Sequence, residues 1–372
     1  MYLINPNRNV AWNELPLLPI EEDLYRTTEI YEKLGEAKAA LARLQGRSIA
    51  IPNQGLLINT ISLQEAKASS EIENIFTTDD ELYKAFSEQN NEASGRSKDV
   101  LRYREALWAG HHYLQQQPAF DKKYFLNVFQ EIKLTTDEIR PDFVNTTIKQ
   151  GGVGPNAGQI IYTPPKGIEV LNSKMENLID FINDDDRYKA DHLLKMAIAH
   201  FQFEAIHPFR DGNGRTGRIF NIHYLTKKGL LDLPILFLSR YIMDNKDEYY
   251  AGLMGVTQRG DWKSWLIYMM KVIQVTADIT YRKINDILNA KEAILNHISK
   301  EAKKLRKPEK LTEMIFTQPF TRVKHLQDAK LYSENTAREY LNKLCDLKVL
   351  EKKTMEGHHY YLNIELYRIL SE

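Results

Sequence analysis

The chain has 372 residues, which is enough for two or three domains and a substantial core. Its 50 Lys and Arg residues balance 50 Asp and Glu residues, and a net charge of zero argues against bulk binding to nucleic acid or to an anionic membrane. Cys345 is the single cysteine, which excludes an intramolecular disulfide. The sequence lacks a signal-peptide pattern and any membrane-spanning run, so we expect a cytoplasmic protein.

The N-terminal arm, residues 1–60, is predicted to be mostly helical. Residues 1–20 contain three prolines and are expected to be extended. Residues 21–45 carry apolar side chains at helical spacing and precede Gly46, which predicts a helix that ends at this glycine. Residues 49–55 contain a proline and a glycine and predict a turn.

The next stretch, residues 61–75, predicts a helix in which Ser69 and Glu73 are four residues apart and therefore share a face. The pattern Ser-x-x-x-Glu-Asn is common by itself, and it is equally typical of a surface helix with solvated glutamates. Its interpretation depends on a second motif further along the chain.

Four helices and one hairpin are predicted before that motif. The helices are expected at residues 78–89, 97–117, 121–134 and 168–183. Residues 147–165 have β-prone ends around a tip rich in Gly, Pro and Asn, which predicts a small β-hairpin, with a flexible glycine-rich loop as the alternative. These glycines do not form a P-loop, because no Gly-Lys-Ser/Thr follows them.

The second motif is residues 207–218, which read His-Pro-Phe-Arg-Asp-Gly-Asn-Gly-Arg-Thr-Gly-Arg. Residues 191–206 predict an apolar helix before it, and another helix is expected to begin near Gly214. The motif is therefore predicted to form a tight loop between two helices.

Such a loop has the features of a polyphosphate site. Gly212 and Gly214 permit a sharp turn and leave backbone N–H groups uncovered. A helix N-terminus carries a partial positive charge, and Arg215 and Arg218 are three residues apart on one face of the first turns. An anion would offset this concentration of positive charge, so phosphate binding is expected.

Two further side chains of the motif add chemistry. Asp211 is a hard oxygen ligand suited to Mg²⁺, which binds one or two carboxylates together with phosphates. His207 can act as a general base near neutral pH. A glycine-rich helix connection with surface arginines would explain any one of these residues, but it is a poor explanation for all of them within one short stretch.

After the motif, Asp244 is expected to cap a helix, and residues 262–298 are expected to form one long helix. Residues 301–310 are charged and contain a proline, which indicates a linker or a helix end. The final segment, residues 301–372, has the order helix, helix, helix, hairpin and resembles a winged helix-turn-helix domain.

This C-terminal domain could bind DNA or protein. DNA binding would place Asn335 and Arg338 in a groove and Lys352 and Lys353 on phosphates. The segment contains 14 Lys and Arg residues against 11 Asp and Glu residues, which is a weak electrostatic footprint. We therefore favour a role in protein interaction or substrate positioning, with DNA binding as the alternative.

Residues 207–218 resemble the Fic family motif, His-x-Phe-x-Asp/Glu-Gly-Asn-Gly-Arg-x-x-Arg, at every specified position. The resemblance implies a mainly α Fic-type domain over residues 61–300, in which the hairpin at residues 147–165 is the flap. It also implies a protein adenylyltransferase, which transfers AMP from ATP to a Ser, Thr or Tyr hydroxyl of a target protein and releases pyrophosphate. The flap would hold the target segment as an added strand.

The resemblance assigns a role to each motif position. His207 would be the base that takes the proton from the target hydroxyl, and Asp211 would hold Mg²⁺ between the α- and β-phosphates. Asn213 and the neighbouring amides would cradle phosphates, while Arg215 would bind the β-phosphate side and Arg218 the γ-phosphate. The expected ATP-binding residues are Gly212, Asn213, Gly214, Arg215, Thr216, Gly217, Arg218 and Tyr249.

Two of these expectations concern residues outside the motif. Tyr249 is expected to contact the adenine or the ribose, whereas Tyr250 is expected in the core. Beside a Fic motif, the pattern of Ser69 and Glu73 resembles the inhibitory helix that some Fic proteins carry. In that resemblance Glu73 pairs with Arg218 and occupies the space of the γ-phosphate, so that ATP binds with misplaced phosphates.

Other interpretations stay open at this stage. The same site could remove AMP, with Glu73 positioning a water molecule, or it could transfer a different phosphate-containing group. The Fic domain could also serve as the ATP sensor of a winged-helix transcription regulator. Self-modification and a homodimer are further alternatives, and the sequence does not identify the target proteins.

Overall fold

The computed structural model describes residues 2–49, 54–88, 95–149, 158–355 and 357–372, and in it the chain folds mainly into α-helices. The helices are α1 (Thr28–Ile49), α2 (Gln54–Ile72), α3 (Asp79–Ser87), α4 (Gly95–Gln116), α5 (Lys122–Lys133), α6 (Ile168–Asn183), α7 (His192–Ile206), α8 (Asn213–Lys227), α9 (Leu238–Asp244), α10 (Lys246–Arg259), α11 (Trp262–Glu301), α12 (Pro308–Phe316), α13 (Val323–Asp328), α14 (Glu334–Asp346) and α15 (Ile364–Ser371). The strands are β1 (Ile148–Lys149), β2 (Ile160–Tyr162), β3 (Phe320–Thr321), β4 (Leu350–Met355) and β5 (His358–Asn363). This confirms the mainly α fold class with small antiparallel sheets.

Helices α7 and α8 form the centre of the core and carry the motif loop between them. Nearly every residue of α7 is buried, which explains its almost continuous apolar sequence. The long helix α11 packs along α1, whose buried stripe includes Ile30, Leu34 and Leu41. Among the described residues, no helix is both long enough and apolar enough to cross a membrane.

The first helix differs from its predicted bounds at both ends. A single 3₁₀ turn occupies residues 22–24, and α1 begins only at Thr28. The helix then continues through Gly46 to Ile49, so the prediction that this glycine ends the helix was wrong. A glycine inside a helix costs only about 1 kcal/mol, which packing of α1 against α11 readily offsets. The predicted turn at 49–55 is partly replaced by helix, and residues 50–53 lie outside the described residues.

A second correction concerns the helix that Asp244 was expected to cap. Asp244 is instead the last residue of α9, and α10 begins at Lys246 after a break at Asn245. Asn245 makes no side-chain cap to α10. The sequence Asp-Asn therefore marks a junction between two helices rather than the start of one.

The flap hairpin is confirmed where the structure describes it. Strands β1 and β2 pair in antiparallel fashion, with Ile148 opposite Tyr162. The hydroxyl of Tyr162 donates to the main-chain oxygen of Ala205 at 2.8 Å, which fixes β2 to the end of α7. The tip of the flap, residues 150–157, lies outside the described residues.

Residues 308–371 contain α12 to α15 and a three-stranded antiparallel sheet of order β3-β5-β4. Ser333 caps α14 as expected, and β4 and β5 form the predicted hairpin. The short strand β3 and the terminal helix α15 were not predicted. Helix α15 packs on the body of the molecule, where the main-chain oxygen of Leu370 accepts a hydrogen bond from Gln64 of α2. The oxygen of Ile369 likewise accepts from Lys283 of α11, at 2.7 Å.

The N-terminal segment, residues 2–20, is non-helical and lies against the helical body. Trp12, Leu15 and Leu18 are buried. The N–H of Trp12 donates to the main-chain oxygen of Thr163, just after β2, at 3.1 Å. This segment therefore braces the base of the flap.

Candidate active site

The motif loop is shaped by two backbone positions with positive φ. His207 ends α7 with φ of 50°, and Gly212 precedes α8 with φ of 82°. The amide of Asn213 bridges the loop, because its Oδ1 accepts from the N–H of Phe209 at 2.9 Å and its Nδ2 donates to the oxygen of Phe209 at 2.8 Å. The side chain of Asn213 thus closes the loop, a role in addition to the phosphate contact that we predict for it.

An aromatic contact with α5 anchors the same loop. Phe209 is almost completely buried. Its ring stacks parallel to that of Phe129 of α5, with centroids 4.1 Å apart. The ring of Phe209 therefore fastens the loop to the core, while the amide of Asn213 closes the loop on itself.

Arg140 is a third fastening point, and the sequence did not identify it. Its buried guanidinium donates from Nε to the oxygen of His207 at 2.8 Å and from Nη2 to the oxygen of Ile206 at 3.3 Å. Nη2 also contacts the oxygen of Pro165 at the base of the flap. Arg140 thereby satisfies carbonyl groups that the end of α7 leaves without an intrahelical partner.

His207 lines a cavity beside the motif loop, as its predicted role requires. Burial, together with the neighbouring Arg140 guanidinium, lowers the pKa of His207 to about 4. The imidazole is therefore neutral at physiological pH, which is the form that accepts a proton.

The N-terminal turn of α8 leaves backbone N–H groups without helical partners, and its backbone packs closely against α7. Thr216 is the first residue whose N–H bonds within the helix, to Gly212, which leaves the N–H groups of residues 213–215 without a helical partner. The hydroxyl of Thr216 donates to the same oxygen of Gly212 at 2.9 Å. Gly217 packs against α7, where a Cβ would lie 2.5 Å from Oε1 of Glu204. Thr216 and Gly217, which we expect to bind ATP, therefore also have structural contacts within the fold.

The expected pairing of Arg218 with the inhibitory residues is present. Nε of Arg218 donates to the hydroxyl of Ser69 at 2.8 Å, and Nη2 donates to the main-chain oxygen of Ser69 at 2.9 Å. Nη2 also donates to Oε1 of Glu73 at 2.8 Å. Glu73 lies just past the end of α2, in a final turn closed by a bond from its N–H to the oxygen of Ser70.

Gly214 makes room for this arrangement. A Cβ at position 214 would overlap the carboxylate of Glu73 and would lie 3.0 Å from Nη1 of Arg218. The carboxylate of Glu73 therefore lies directly against the backbone at the positive end of α8. Glu73 thus places a carboxylate at the N-terminal end of α8, the kind of position at which helices bind anions.

Arg215 and Asp211 face a second cleft beside the cavity, and Glu73 lies between the two spaces. The guanidinium of Arg215 is buried, and its Nε has no hydrogen-bond partner among the described residues. Asp211 accepts from the N–H of Gly212 at 2.7 Å and from Lys133 at 2.5 Å. Partial burial favours the neutral form of Asp211, but the bond from Lys133 outweighs it and lowers the pKa of this carboxyl.

The cavity beside His207 has a volume of about 280 Å³, and it extends from the motif loop to an apolar wall. Its apolar lining includes Ile161 of the flap together with Leu253 and Met254 of α10. Tyr249 lines it too, although its hydroxyl is shared with Nε2 of His200 at 2.9 Å. Tyr250, which was expected in the core, lines the same cavity and is the more exposed of the two tyrosines.

Three family models match the chain and together cover more than two thirds of it. Residues 31–112 match the Fic/DOC family N-terminal model, and residues 119–225 match the Fic/DOC family model. Residues 290–366 match the C-terminal domain of "Protein adenylyltransferase SoFic-like". The second match contains the motif loop.

Individual relatives agree with these matches. Protein adenylyltransferase fic-1 of Caenorhabditis elegans is 29% identical over 132 residues, which are 36% of this chain and 24% of the relative. The probable protein adenylyltransferase aq_aa38 of Aquifex aeolicus is 35% identical over 81 residues, which are 22% of this chain and 24% of the relative. The chain thus spans about a quarter of the length of these curated relatives.

A solved structure supports the fold over nearly the whole chain. The crystal structure of a Fic family protein from Desulfovibrio desulfuricans G20 superposes with a TM-score of 0.57 at 18% identity. It covers 93% of this chain and 98% of its own. With the three family matches and the motif geometry, this likeness leads to one conclusion: the chain is a member of the Fic/DOC family.

Proposed function

We propose that this chain is a protein adenylyltransferase that is held inactive by its own Glu73. Family membership and the names of the curated relatives support the reaction class. The observation that carries the proposal is the juxtaposition of a neutral His207, the open N-terminus of α8 and Arg218 at one cavity, with Glu73 occupying Arg218. These are the parts needed to bind a nucleoside triphosphate and to activate a hydroxyl beside it.

In the proposed reaction the target hydroxyl loses its proton to the imidazole of His207 and its oxygen attacks the α-phosphorus of ATP. The bond from that phosphorus to the bridging oxygen breaks, and pyrophosphate leaves. The buried guanidinium of Arg215 and the first N–H groups of α8 would stabilise charge on the phosphates. Catalysis would therefore come mainly from positioning and fixed positive charge, as in phosphoryl transfer generally.

The residues present fit a Mg²⁺ ion that is shared with the nucleotide. The Asp211 side chain is 68% exposed beside the phosphate-binding turn. Across the part of the chain that the structure describes, no group of three or more His, Cys, Asp or Glu side chains could hold a metal. A single carboxylate suits Mg²⁺, which usually keeps several waters and binds substrate phosphates. When bound, the ion would neutralise charge on the phosphates, and it would have to displace Lys133 from Oδ2 of Asp211.

Inhibition in this proposal is a competition for Arg218. A γ-phosphate would need the guanidinium that already donates to Ser69 and Glu73. A bidentate or charge-assisted contact to Arg is strong in a buried setting, and Arg218 is 1% exposed. ATP that binds with its γ-phosphate displaced would not align the α-phosphorus for in-line attack.

Incubation with Mg²⁺ and ATP labelled at the α-phosphate tests the proposal. Four proteins are compared: the parent, Glu73→Gly, Glu73→Gly with His207→Ala, and Glu71→Gly, the same change at a nearby glutamate in the last turn of α2. We expect label on the protein itself or on lysate proteins to rise strongly with Glu73→Gly alone and to disappear when His207 is also replaced. Glu71→Gly should behave as the parent.

The possible results separate the parts of the proposal. Equal labelling of the parent and Glu73→Gly would refute inhibition by Glu73. Label that survives His207→Ala would remove His207 from the role of base. The absence of label in every variant would refute the transferase and favour removal of AMP or a regulatory role.

The remaining assignments are proposals of the same kind. We place the inhibitory helix and Fic domain in residues 61–300 and a winged-helix domain in residues 301–372, preceded by the arm of residues 1–60. The flap would receive the target segment along β2. The C-terminal domain would position protein partners, since its charges are nearly balanced.

A further inference from the structure

Glu204 is a titratable side chain in the cavity that the proposed reaction does not use. It belongs to the last turn of α7 and lines the cavity together with His207 and Arg218. Its Oε1 is buried and has no hydrogen-bond partner among the described residues. A buried polar atom without a partner is costly unless a ligand or water satisfies it.

The position of Glu204 along α7 is informative. Phe201, Glu204 and His207 are spaced by three residues and all line the cavity, and each step of three residues advances about 4.5 Å along a helix. Phe201 marks the apolar side, where its ring meets that of Trp262 at 4.8 Å. His207 marks the side of the phosphate-binding turn. Glu204 therefore lies midway between the two.

A nucleoside triphosphate has the same order of parts. Its aromatic base needs apolar walls, its phosphates need the α8 N-terminus, and its ribose connects the two. The ribose presents hydroxyl groups that can donate and accept hydrogen bonds, and acidic side chains are common partners of ribose hydroxyls in nucleotide sites. Glu204 is the acidic side chain at the level where the ribose would lie.

We propose that the carboxyl of Glu204 binds the ribose hydroxyls of the nucleotide and makes the cavity selective for ribonucleotides. This inference rests on the proposed function, because it assumes a nucleoside triphosphate in the cavity. Gly217 contributes indirectly, since a larger residue would collide with Oε1 of Glu204.

The protonation of Glu204 is compatible with this role. Burial raises the pKa of its carboxyl to about 8, although Arg218 opposes the shift. At neutral pH the group is therefore largely uncharged, so that it would not repel a nearby phosphate. A protonated carboxyl can both donate to and accept from a hydroxyl.

Calorimetry of nucleotide binding in the Glu73→Gly background tests the proposal. The ligands are ATP, 2′-deoxy-ATP, 3′-deoxy-ATP and GTP, and the variants are Glu204→Met, which has similar size without a carboxyl, and Glu204→Gln. Glu176→Met, an exposed change on α6, is the matched control. Thermal unfolding checks that each variant is folded, and Glu204→Gln retains a polar group if Glu204→Met does not fold.

We expect ATP to bind about tenfold more tightly than at least one deoxy analogue when Glu204 is present, as the loss of one buried hydrogen bond implies. Glu204→Met should remove this difference and Glu204→Gln should reduce it, whereas Glu176→Met should leave it unchanged. This coupling between one side chain and one hydroxyl would not arise from a general loss of structure.

Two results would overturn the inference while the proposed function stands. One is equal binding of ATP and both deoxy analogues by the Glu73→Gly protein. The other is a Glu204→Met variant that changes discrimination between ATP and GTP but not between ATP and its deoxy analogues, which would assign Glu204 to the base. Failure of the Glu73→Gly protein to bind ATP at all would instead refute the proposed function itself.

Discussion

Nη2 of Arg218 lies 2.8 Å from Oε1 of Glu73, although 145 positions separate the two residues in the sequence. The arginine is buried and the carboxylate is 35% exposed. The same guanidinium donates twice to Ser69, so Arg218 is held by Ser69 of α2 and by Glu73, which lies one turn further on and just past the end of α2. Removing either partner should therefore weaken the contact without abolishing it.

Ser69→Ala should release the inhibition in part. The change removes the hydroxyl that accepts from Nε of Arg218 but leaves the main-chain oxygen of Ser69 and the carboxylate of Glu73. A hydrogen bond to a charged group contributes about 1.5–3 kcal/mol, which corresponds to a factor of about ten to one hundred. We therefore expect labelling at least about tenfold above the parent and below Glu73→Gly.

Ser70→Ala is the matched control for this experiment. Its hydroxyl is also buried on α2, but it has no hydrogen-bond partner among the described residues. Labelling by Ser70→Ala should stay at the parent level. If both serine variants behave alike, the hydroxyl of Ser69 has no specific part in the inhibition.

Glu73 should affect the binding of ATP and not that of ADP. In the proposed mechanism the carboxylate competes with the γ-phosphate for Arg218, and ADP has no γ-phosphate. We expect Glu73→Gly to strengthen ATP binding at least about tenfold and to change ADP binding less than about twofold, as measured by calorimetry. An equal gain for both nucleotides would show that Glu73 closes the whole cavity rather than one phosphate position.

The rate of AMP transfer should not fall near pH 6.5, where an ordinary histidine titrates. Burial lowers the pKa of His207 to about 4, and the neutral imidazole is the active form. Single-turnover labelling by Glu73→Gly should therefore stay nearly constant from pH 7 to about pH 5.5 and decline only as pH approaches 4. A midpoint near pH 6.5 would mean that the imidazole is solvated in the working enzyme.

Arg140→Lys should lower the transfer rate more than it lowers nucleotide affinity. Lysine cannot span the three carbonyl groups that the guanidinium reaches, so the loop would lose part of its support. Each buried carbonyl left without a donor costs about 1–3 kcal/mol, and Tm should fall accordingly. We expect at least about a tenfold loss in rate, with the Kd for ATP nearly unchanged.

The control for Arg140→Lys is Arg187→Lys, an exposed position near the opposite end of α7. This variant should keep both the rate and the Tm of its background. A loss of ATP affinity that matches the loss of rate in Arg140→Lys would indicate that the whole site collapses, and that Arg140 does not specifically position His207.

The residues that act within one short stretch could be predicted from the sequence. The loop between α7 and α8, its glycine turn and the pair of Ser69 and Glu73 follow from local spacing and from the Fic resemblance. Arg140, Lys133 and Glu204 were missed, because none of them has a local signature. Arg140 and Lys133 act on motif residues that lie 67 and 78 positions away.

The errors in the fold have a similar origin. The sequence marked Gly46 as a helix end, and only the packing of α1 on α11 overrides that preference. The sequence assigned Asn213 to phosphates because it lies among phosphate-binding positions, and it gave no sign of the additional hydrogen bonds between its amide and the backbone of Phe209. In both cases the residue type is compatible with two roles, and the contacts that matter form only in the folded protein.

The inhibition that we propose for Glu73 would also determine how the activity responds to the amount of protein. The carboxylate and its arginine belong to one chain, so they meet at a fixed effective concentration. Dilution would not separate them, and a rise in expression would raise the number of inactive molecules in the same proportion as the active ones. The fraction of active molecules would then depend on the contacts that Ser69 and Glu73 make with Arg218. Activation would require a change in these contacts.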